Sequence, residues 1–228
     1  MNIQLAVFDI AGTTVLDSGN VNEAFRQAFL TANINVDAAE INKLMGYKKI
    51  EAIKIIIKKY APVLIENEKL IDDIHTVFIK KMIAFYEHDT LLQPLPYAEW
   101  VFAQLKSRGI KVALNTGFTR SITDVILNRL GWHNTPLIDA VVCSDEVDEG
   151  RPHPFMIQHL MQKLAVSNPK NIIKIGDTEV DIEEGRNVGC GMVIAVTTGT
   201  YSKEALLSCH PDYVIDSLNE IMFIINNQ

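Results

Sequence analysis

The sequence predicts an α/β protein built on a doubly wound parallel sheet, with a helical cap subdomain inserted near its start. Short apolar runs rich in β-branched residues recur along the chain, and continuous hydrophobicity is typical of strands buried on both faces of a parallel sheet. In the second part of the chain these runs alternate with amphipathic stretches of helical length. Such strand–helix alternation predicts a Rossmann-like core.

Each core element is predicted from its own pattern. The apolar runs predict six strands and the periodic stretches between the later runs predict four helices. The strands are residues 3–8, 110–114, 138–143, 172–175, 192–196 and 213–215. The helices are residues 97–108, 119–131, 154–165 and 179–188.

Residues from about 20 to 89 interrupt this alternation, because they carry helical patterning and no convincing strand. Apolar side chains at 21, 24, 25, 28 and 29 form one face of a helix over 20–31, and 50–60 and 66–85 are similar. We therefore predict a core of residues 1–16 and 91–228 and a helical cap of residues 17–90. An insertion after the first strand lies over the carboxyl edge of the sheet, where open α/β folds bind ligands.

The composition limits the classes of partner. The chain has 228 residues and a net charge of -7, so it lacks the basic field that collects nucleic acid or anionic membranes. No apolar run approaches the ~18 residues needed to span a bilayer. Its three cysteines are widely spaced, which argues against a disulfide framework or a zinc site. We expect a cytoplasmic protein that binds a small molecule but no nucleic acid or membrane, with a homodimer left open.

Carboxylates stand at the ends of two predicted strands. Asp9 ends the first strand, and Asp177 follows a later one in the sequence Gly-Asp-Thr-Glu-Val-Asp, which ends at Asp181. Mg²⁺ prefers carboxylate and carbonyl oxygens, so Asp9, Asp177 and Asp181, with the carbonyl of Ala11, are candidate ligands. Capping of the following helix is the structural alternative for Asp181.

Two other positions offer groups that bind an anion. Thr116 and Gly117 follow the second predicted strand, where a hydroxyl and backbone amides hold phosphate oxygens. Arg151 lies between an acidic loop and a proline. It is either part of a structural ion pair or an anion clamp, since a guanidinium grips phosphoryl oxygens through several donors.

These four motifs, in this order, resemble those of the haloacid dehalogenase superfamily. They read D-x-x-G-T-T, hydrophobic-N-T-G, R-P and G-D-T-x-x-D, and the resemblance covers the whole chain, including the cap. It implies that Asp9 is both nucleophile and metal ligand, and that the reaction passes through an aspartyl-phosphate. It also implies that Thr116 and Arg151 bind the phosphoryl group. Asp177 is then the other magnesium ligand, supported by Asp181.

Ala11 occupies the position where most phosphatases of that superfamily carry a general acid for the leaving alcohol. Losing a positioned acid costs roughly 10²–10⁴ in rate. The surrounding motifs resemble the phosphonatase branch, whose M-G-x-x-K-I cap motif matches residues 45–50. That resemblance implies that Lys49 forms a Schiff base with an aldehyde such as phosphonoacetaldehyde, so that an iminium accepts the electrons of the C–P bond. A solvated lysine at a helix start is the structural alternative.

Three positions depart from the phosphonatase branch. Its cap histidine is Ala52 here, its tyrosine after the motif-two threonine is Phe118, and its cysteine is replaced near Gly19 or Asn20. Two other functions therefore stay open. One is a phosphomonoesterase acting on a small phosphorylated metabolite, in which Lys49 only binds substrate. The other is a non-catalytic phosphate-binding protein. The expected substrate is a small phosphonate or phosphate ester.

Overall fold

Six parallel strands form a single sheet in the computed structural model, which describes residues 2–227. The predicted core segments also include Met1 and Gln228, which lie outside the described residues. The sheet order is β3-β2-β1-β4-β5-β6, so the strand order reverses between β1 and β4. The strands are β1 Leu5–Phe8, β2 Lys111–Thr116, β3 Ala140–Cys143, β4 Ile172–Gly176, β5 Met192–Val196 and β6 Tyr213–Ile215.

Helices cover both faces of this sheet, which explains why the strand residues are continuously apolar. Alternate side chains of β1 point to opposite faces: Phe8 packs in one buried cluster and Val7 in the other. Helices α5 (Ala98–Ser107), α6 (Arg120–Arg129) and α10 (Glu220–Asn226) cover the Phe8 face. Helices α7 (Phe155–Lys163), α8 (Glu179–Val188) and α9 (Lys203–Ser208) cover the other. The predicted doubly wound parallel sheet is confirmed.

Residues 17–90, here called the cap segment, fold as helices between β1 and α5. They are α1 (Asn20–Leu30), α2 (Ala38–Asn42), α3 (Lys49–Tyr60) and α4 (Glu68–His88), with a 3₁₀ turn at Pro62–Leu64. The apolar face predicted for α1 is buried. The chain enters and leaves this segment at adjacent points, because the N–H of Leu95 donates to the carbonyl of Thr14 at 2.8 Å. The division of the chain at residues 17 and 90 stays a prediction.

Three short helices, α2, α9 and α10, are absent from the sequence prediction. Helix α10 reads Glu-Ile-Met-Phe-Ile-Ile-Asn, a β-branched run that resembles a strand in isolation. It is helical because Ile221, Met222 and Ile224 pack together into the core. Within residues 2–227, the structure contains no helix whose length and hydropathy suit a membrane crossing.

We expect truncation of Phe78 to lower the free energy of unfolding by about 3–5 kcal/mol, the range for buried Phe→Ala changes. Phe78 is fully buried on α4 and packs on Phe25, with ring centroids 4.3 Å apart. Phe223, also on a helix, is 74% exposed and is the matched control. Urea denaturation of Phe78→Ala and Phe223→Ala measures both values, and equal losses would contradict the packing described here.

Candidate active site

A small cavity lies at the carboxyl ends of β1, β2 and β4, against the cap segment. The reversal of strand order between β1 and β4 opens a crevice at this edge of the sheet. The cavity volume is about 20 Å³, room for roughly one water molecule. A larger depression of about 530 Å³ beside α7 has no ionisable lining residue. The small cavity is lined by Asp9, Ala11, Asp17, Val21, Met45, Gly46, Lys49, Thr116, Gly117, Phe118, Asp177, Thr178 and Thr200.

The structure brings most of the predicted site residues to this cavity. Asp9, Ala11, Lys49, Thr116, Gly117 and Asp177 line it directly. Arg151 and Asp181 are not among the lining residues, but both are buried and in contact with each other, and Arg151 reaches Asp9. Their placement is thus settled, while their functional roles stay predictions.

Asp9 is held by the backbone on one side and by an arginine on the other. Its N–H donates to the carbonyl of Ile175 on β4 at 2.9 Å, and the Thr14 hydroxyl donates to its carbonyl at 2.9 Å. Its carboxylate oxygen Oδ1 accepts a 2.7 Å bond from Arg151. Burial raises the pKa of Asp9, and the positive charge of Arg151 opposes that rise. No described residue donates a hydrogen bond to Asp9 Oδ2, which leaves this oxygen free for chemistry.

Arg151 is fully buried, and all three nitrogens of its guanidinium contact polar partners. Nη1 lies 2.7 Å from Asp9 Oδ1 and 3.0 Å from Asp181 Oδ1, and Nε lies 3.1 Å from Glu184. Nη2 donates to the carbonyl and to the side-chain oxygen of Asn115, at 2.7 and 2.6 Å. The structure confirms the ion-pair alternative for Arg151, which contacts Asp9, Asp181 and Glu184. The anion clamp stays a prediction.

Lys174 and Glu184 belong to the same network, and sequence reasoning missed both. Lys174 is fully buried on β4 and places Nζ 2.8 Å from Asn115 Oδ1, 2.8 Å from Asp181 Oδ1 and 3.3 Å from Glu184. Glu184 on α8 accepts two 2.9 Å bonds from the Asn115 amide. A lysine inside an otherwise apolar strand was the signal, because a buried charge requires charged partners.

The carboxylates of Asp9, Asp177 and Asp181 form a cluster that fits a hard cation. One oxygen from each lies within 4.8 Å of the others, and all three residues are buried. Ala11 lines the same cavity, so the donor set suits Mg²⁺. Asp181 is less free than the sequence suggests: Oδ1 contacts Arg151 and Lys174, and Oδ2 accepts from the Thr178 hydroxyl. Its part in a metal shell stays a prediction.

Asp177 is a buried carboxylate close to two other carboxylates, which disfavours its charged form. Burial, followed by the charges of Asp9 and Asp181, raises the pKa of Asp177 well above its usual range, although the Thr13 hydroxyl donates to its Oδ1 at 2.9 Å. Two glycines allow its close packing. A Cβ on Gly12 would lie 2.6 Å from Asp177 Oδ2, and one on Gly199 only 1.8 Å away. A cation bound here relieves the repulsion among the carboxylates.

The turn after β2 presents a hydroxyl to the cavity. Thr116 Oγ1 accepts a 3.2 Å bond from the N–H of Phe118, so its own proton remains available to a ligand. The Ser144 hydroxyl fixes the turn by donating to the carbonyl of Gly117 at 2.9 Å. A hydroxyl held in this way beside backbone amides suits phosphoryl oxygens.

Lys49 is the first residue of α3, and its side chain is buried instead of solvated. It is 3% exposed, and its Nζ lies 5.6 Å from the ring centre of Phe25 and 5.3 Å from that of Phe118. Burial lowers the pKa of Lys49 to about 8, against the opposing charge of Asp9 and with the help of Arg151. The solvated-lysine alternative is therefore wrong.

The neighbouring Lys48 fastens the cap segment to the core. Its Nζ donates to the carbonyls of Val147 and Asp148 at 2.8 and 2.9 Å. Glu51 accepts a 3.2 Å bond from the N–H of Gly150 in the same loop. These contacts hold the start of α3 against the loop that precedes Arg151.

The chain is similar to known proteins in sequence and in fold. A family model described as "Hydrolase: haloacid dehalogenase-like hydrolase" matches residues 3–189. A phosphonoacetaldehyde hydrolase from Bacillus cereus is 31% identical, over 83% of this chain and 74% of the relative. One from Latilactobacillus sakei subsp. sakei is 29% identical, over 94% of this chain and 82% of the relative. The crystal structure of a phosphonoacetaldehyde hydrolase like protein from Oleispira antarctica has the same fold. Its TM-score is 0.86 at 24% identity, covering 100% of this chain and 92% of that one.

Neutralising Glu184 should destabilise the protein by about 3–5 kcal/mol, because it leaves Arg151 and Lys174 buried without their shared counter-charge. Glu183, the preceding residue of α8, is exposed and provides the control. Unfolding in urea of Glu184→Gln and Glu183→Gln tests this, with the control expected within about 0.5 kcal/mol of wild type. A Glu184→Gln protein as stable as the control would show that the network contributes nothing to folding.

Proposed function

The chain belongs to the haloacid dehalogenase-like hydrolase family, and from that premise we propose that it is a magnesium-dependent phosphonatase. Its substrate is a small phosphonate bearing an aldehyde, of which phosphonoacetaldehyde is the simplest candidate. The observation that carries this proposal is the buried, partly neutral Lys49 in the same small cavity as Asp9. The relatives named as phosphonoacetaldehyde hydrolases support the substrate class.

In this proposal Asp9 attacks phosphorus and becomes an aspartyl-phosphate. Arg151 keeps the carboxylate oriented by its 2.7 Å bond to Oδ1, so that Oδ2 points the lone pair at phosphorus. The Thr116 hydroxyl and the amide of Gly117 bind the phosphoryl oxygens. Bound through Asp9, Asp177, Asp181 and the Ala11 carbonyl, Mg²⁺ would neutralise phosphoryl charge. Water then hydrolyses the aspartyl-phosphate and regenerates Asp9.

In this proposal Lys49 provides the electron acceptor that C–P cleavage requires. Breaking a C–P bond leaves the electron pair on carbon, where an acid directed at an alcohol gives no help, so Ala11 is compatible with this reaction. A neutral Lys49 amine adds to the aldehyde and forms an iminium. The iminium accepts the electron pair as an enamine, which takes a proton at carbon and is hydrolysed to release the dephosphorylated aldehyde. A cytoplasmic location and a homodimer stay predictions from the sequence.

Borohydride added during turnover of phosphonoacetaldehyde with Mg²⁺ should reduce the iminium to a stable adduct, which mass spectrometry locates on Lys49. Lys49→Arg should lose both the adduct and phosphate release. Asp9→Ala should form the adduct and release no phosphate, because only the second step needs the carboxylate.

Two controls separate the steps of this reaction. Lys48→Arg changes the neighbouring lysine and should retain the Lys49 adduct. Chelation of Mg²⁺ by EDTA should suppress phosphate release while the adduct still forms. If wild type gives no adduct but hydrolyses a simple phosphate ester rapidly, the enzyme is a phosphomonoesterase and Lys49 only binds substrate.

The lowered pKa of Lys49 predicts an unusual pH dependence of its reactivity. The folded-state pKa of about 8 lies below the ordinary 10.5, so the neutral, nucleophilic amine becomes populated as pH rises through about 8. Carbamylation of Lys49 by cyanate in metal-free protein, followed by mass spectrometry, should therefore have its midpoint near pH 8. In the urea-unfolded chain the midpoint should return towards 10.5. The same high midpoint in the folded protein would show that burial does not neutralise this lysine.

A further inference from the structure

Asp17 is a carboxylate that lines the cavity and takes no part in the reaction steps proposed for Asp9 and Lys49. Four ionisable side chains line the cavity: Asp9, Asp17, Lys49 and Asp177. Asp9 and Asp177 belong to the phosphoryl and metal site, where three carboxylates cluster. Asp17 and Lys49 are therefore the two remaining groups of the lining that can exchange protons.

The position of Asp17 is fixed by the backbone that begins α1. Its Oδ1 accepts hydrogen bonds from the N–H groups of Gly19 and Asn20, each at 3.1 Å. Gly19 adopts φ 87°, a conformation that glycine reaches without steric cost. Burial raises the pKa of Asp17, against the opposing effect of these N–H groups and of the Lys49 charge. The side chain is thus anchored, in the lining, and more easily protonated than an exposed aspartate.

The carboxylates of Asp9, Asp17 and Asp177 are the acidic groups that share the cavity with Lys49. The rings of Phe25 and Phe118 flank its ammonium group, and Ala52, three residues further along α3, is an apolar side chain. Among residues 2–227, none forms a hydrogen bond or ion pair with Lys49 Nζ. Imine formation nevertheless requires a proton to remove the carbinolamine hydroxyl as water.

We propose that Asp17 is the acid–base catalyst of Schiff-base formation at Lys49, an inference that rests on the proposed function. The Lys49 nitrogen bonds to the aldehyde carbon and gives a carbinolamine. Protonated Asp17 donates its proton to the carbinolamine hydroxyl, the C–O bond breaks, and water leaves while the nitrogen lone pair forms the C=N bond. After C–P cleavage the enamine carbon takes a proton from solvent. Water then adds to the product iminium and returns a proton to the Asp17 carboxylate, and collapse of the carbinolamine frees Lys49.

The substitution Asp17→Asn tests this role while preserving the hydrogen bonds to the turn before α1. The amide oxygen of Asn can accept the same bonds from Gly19 and Asn20, but it carries no transferable proton. We expect the rate constant for the borohydride-trapped Lys49 adduct, followed by quenching at timed intervals, to fall roughly 10²–10⁴-fold. Phosphate release from phosphonoacetaldehyde should fall by the same factor.

If Asp17 acts as a proton donor, its replacement leaves stability and the Asp9 site unchanged, whereas a purely structural role predicts that both change. In Asp17→Asn the thermal midpoint and the affinity for vanadate with Mg²⁺, which reports on the Asp9 site, should match wild type. Asp17→Ser, which also retains an acceptor oxygen, should behave like Asp17→Asn and keeps the test valid if the first variant fails to fold. Loss of vanadate affinity together with adduct formation would overturn the proposal, as would a wild-type trapping rate in either variant. Absence of the adduct in wild type would refute the proposed function itself.

The pH dependence of trapping is a second readout. The charged groups facing Lys49 are Asp9, Arg151, Asp17 and Asp177, and the titratable groups His75 and Tyr86 interact with Lys49 and with Asp17 respectively. Above pH 8 most of the Lys49 amine is neutral, so a further rise in pH should lower the wild-type trapping rate, because fewer molecules carry a proton on Asp17. In Asp17→Asn this alkaline decline should disappear. Parallel profiles for the two proteins would overturn the role of Asp17.

Discussion

The buried ion-pair network around Arg151 is the interaction on which the rest of the site depends. Taking a charged group out of water costs several kcal/mol even after relaxation, and here Arg151 and Lys174 are both fully buried. They are tolerated because carboxylates and the Asn115 amide surround them at hydrogen-bonding distance. The partners lie directly after β1, on β2 and on α8, and Lys174 itself lies on β4. The network therefore fixes the carboxyl ends of three strands relative to one another, and with them the direction of the Asp9 carboxylate.

Burial has opposite effects on the pKa values of the acidic and basic groups that line the cavity. It raises the pKa of Asp9, Asp17 and Asp177 and lowers that of Lys49 to about 8, because a poorly solvated site disfavours the charged form of either type. Arg151 moderates the effect at Asp9. Among the described residues none forms an ion pair with Lys49, so its neutral form becomes accessible near neutral pH. The cavity thus combines an amine whose pKa is lowered with carboxyls whose pKa values are raised, a combination typical of functional sites.

The sequence alone predicts the core strands well, because their continuous hydrophobicity has a local cause that the parallel sheet requires. It also predicts which strand ends carry the residues that meet at the cavity, since parallel strands end at the same edge. It fails where the environment comes from distant residues. Lys49 lies in a lysine-rich stretch, and only the fold brings the rings of Phe25 and Phe118 against it. Asp17 resembles an ordinary turn residue for the same reason, and Lys174 interrupts an apolar strand whose partners lie on β2 and α8.

The adjacency of Lys48 and Lys49 links the attachment of the cap segment to the position of the cavity lysine. Lys48 immediately precedes α3 and binds the loop that leads to Arg151, whereas Lys49 is the first residue of α3 and points into the cavity. Because consecutive residues of a helix start move together, a shift of the cap segment at Lys48 also shifts Lys49 relative to Asp9, which follows β1. The start of α3 therefore carries both a contact that holds the cap segment to the core and the amine that faces Asp9 across the cavity.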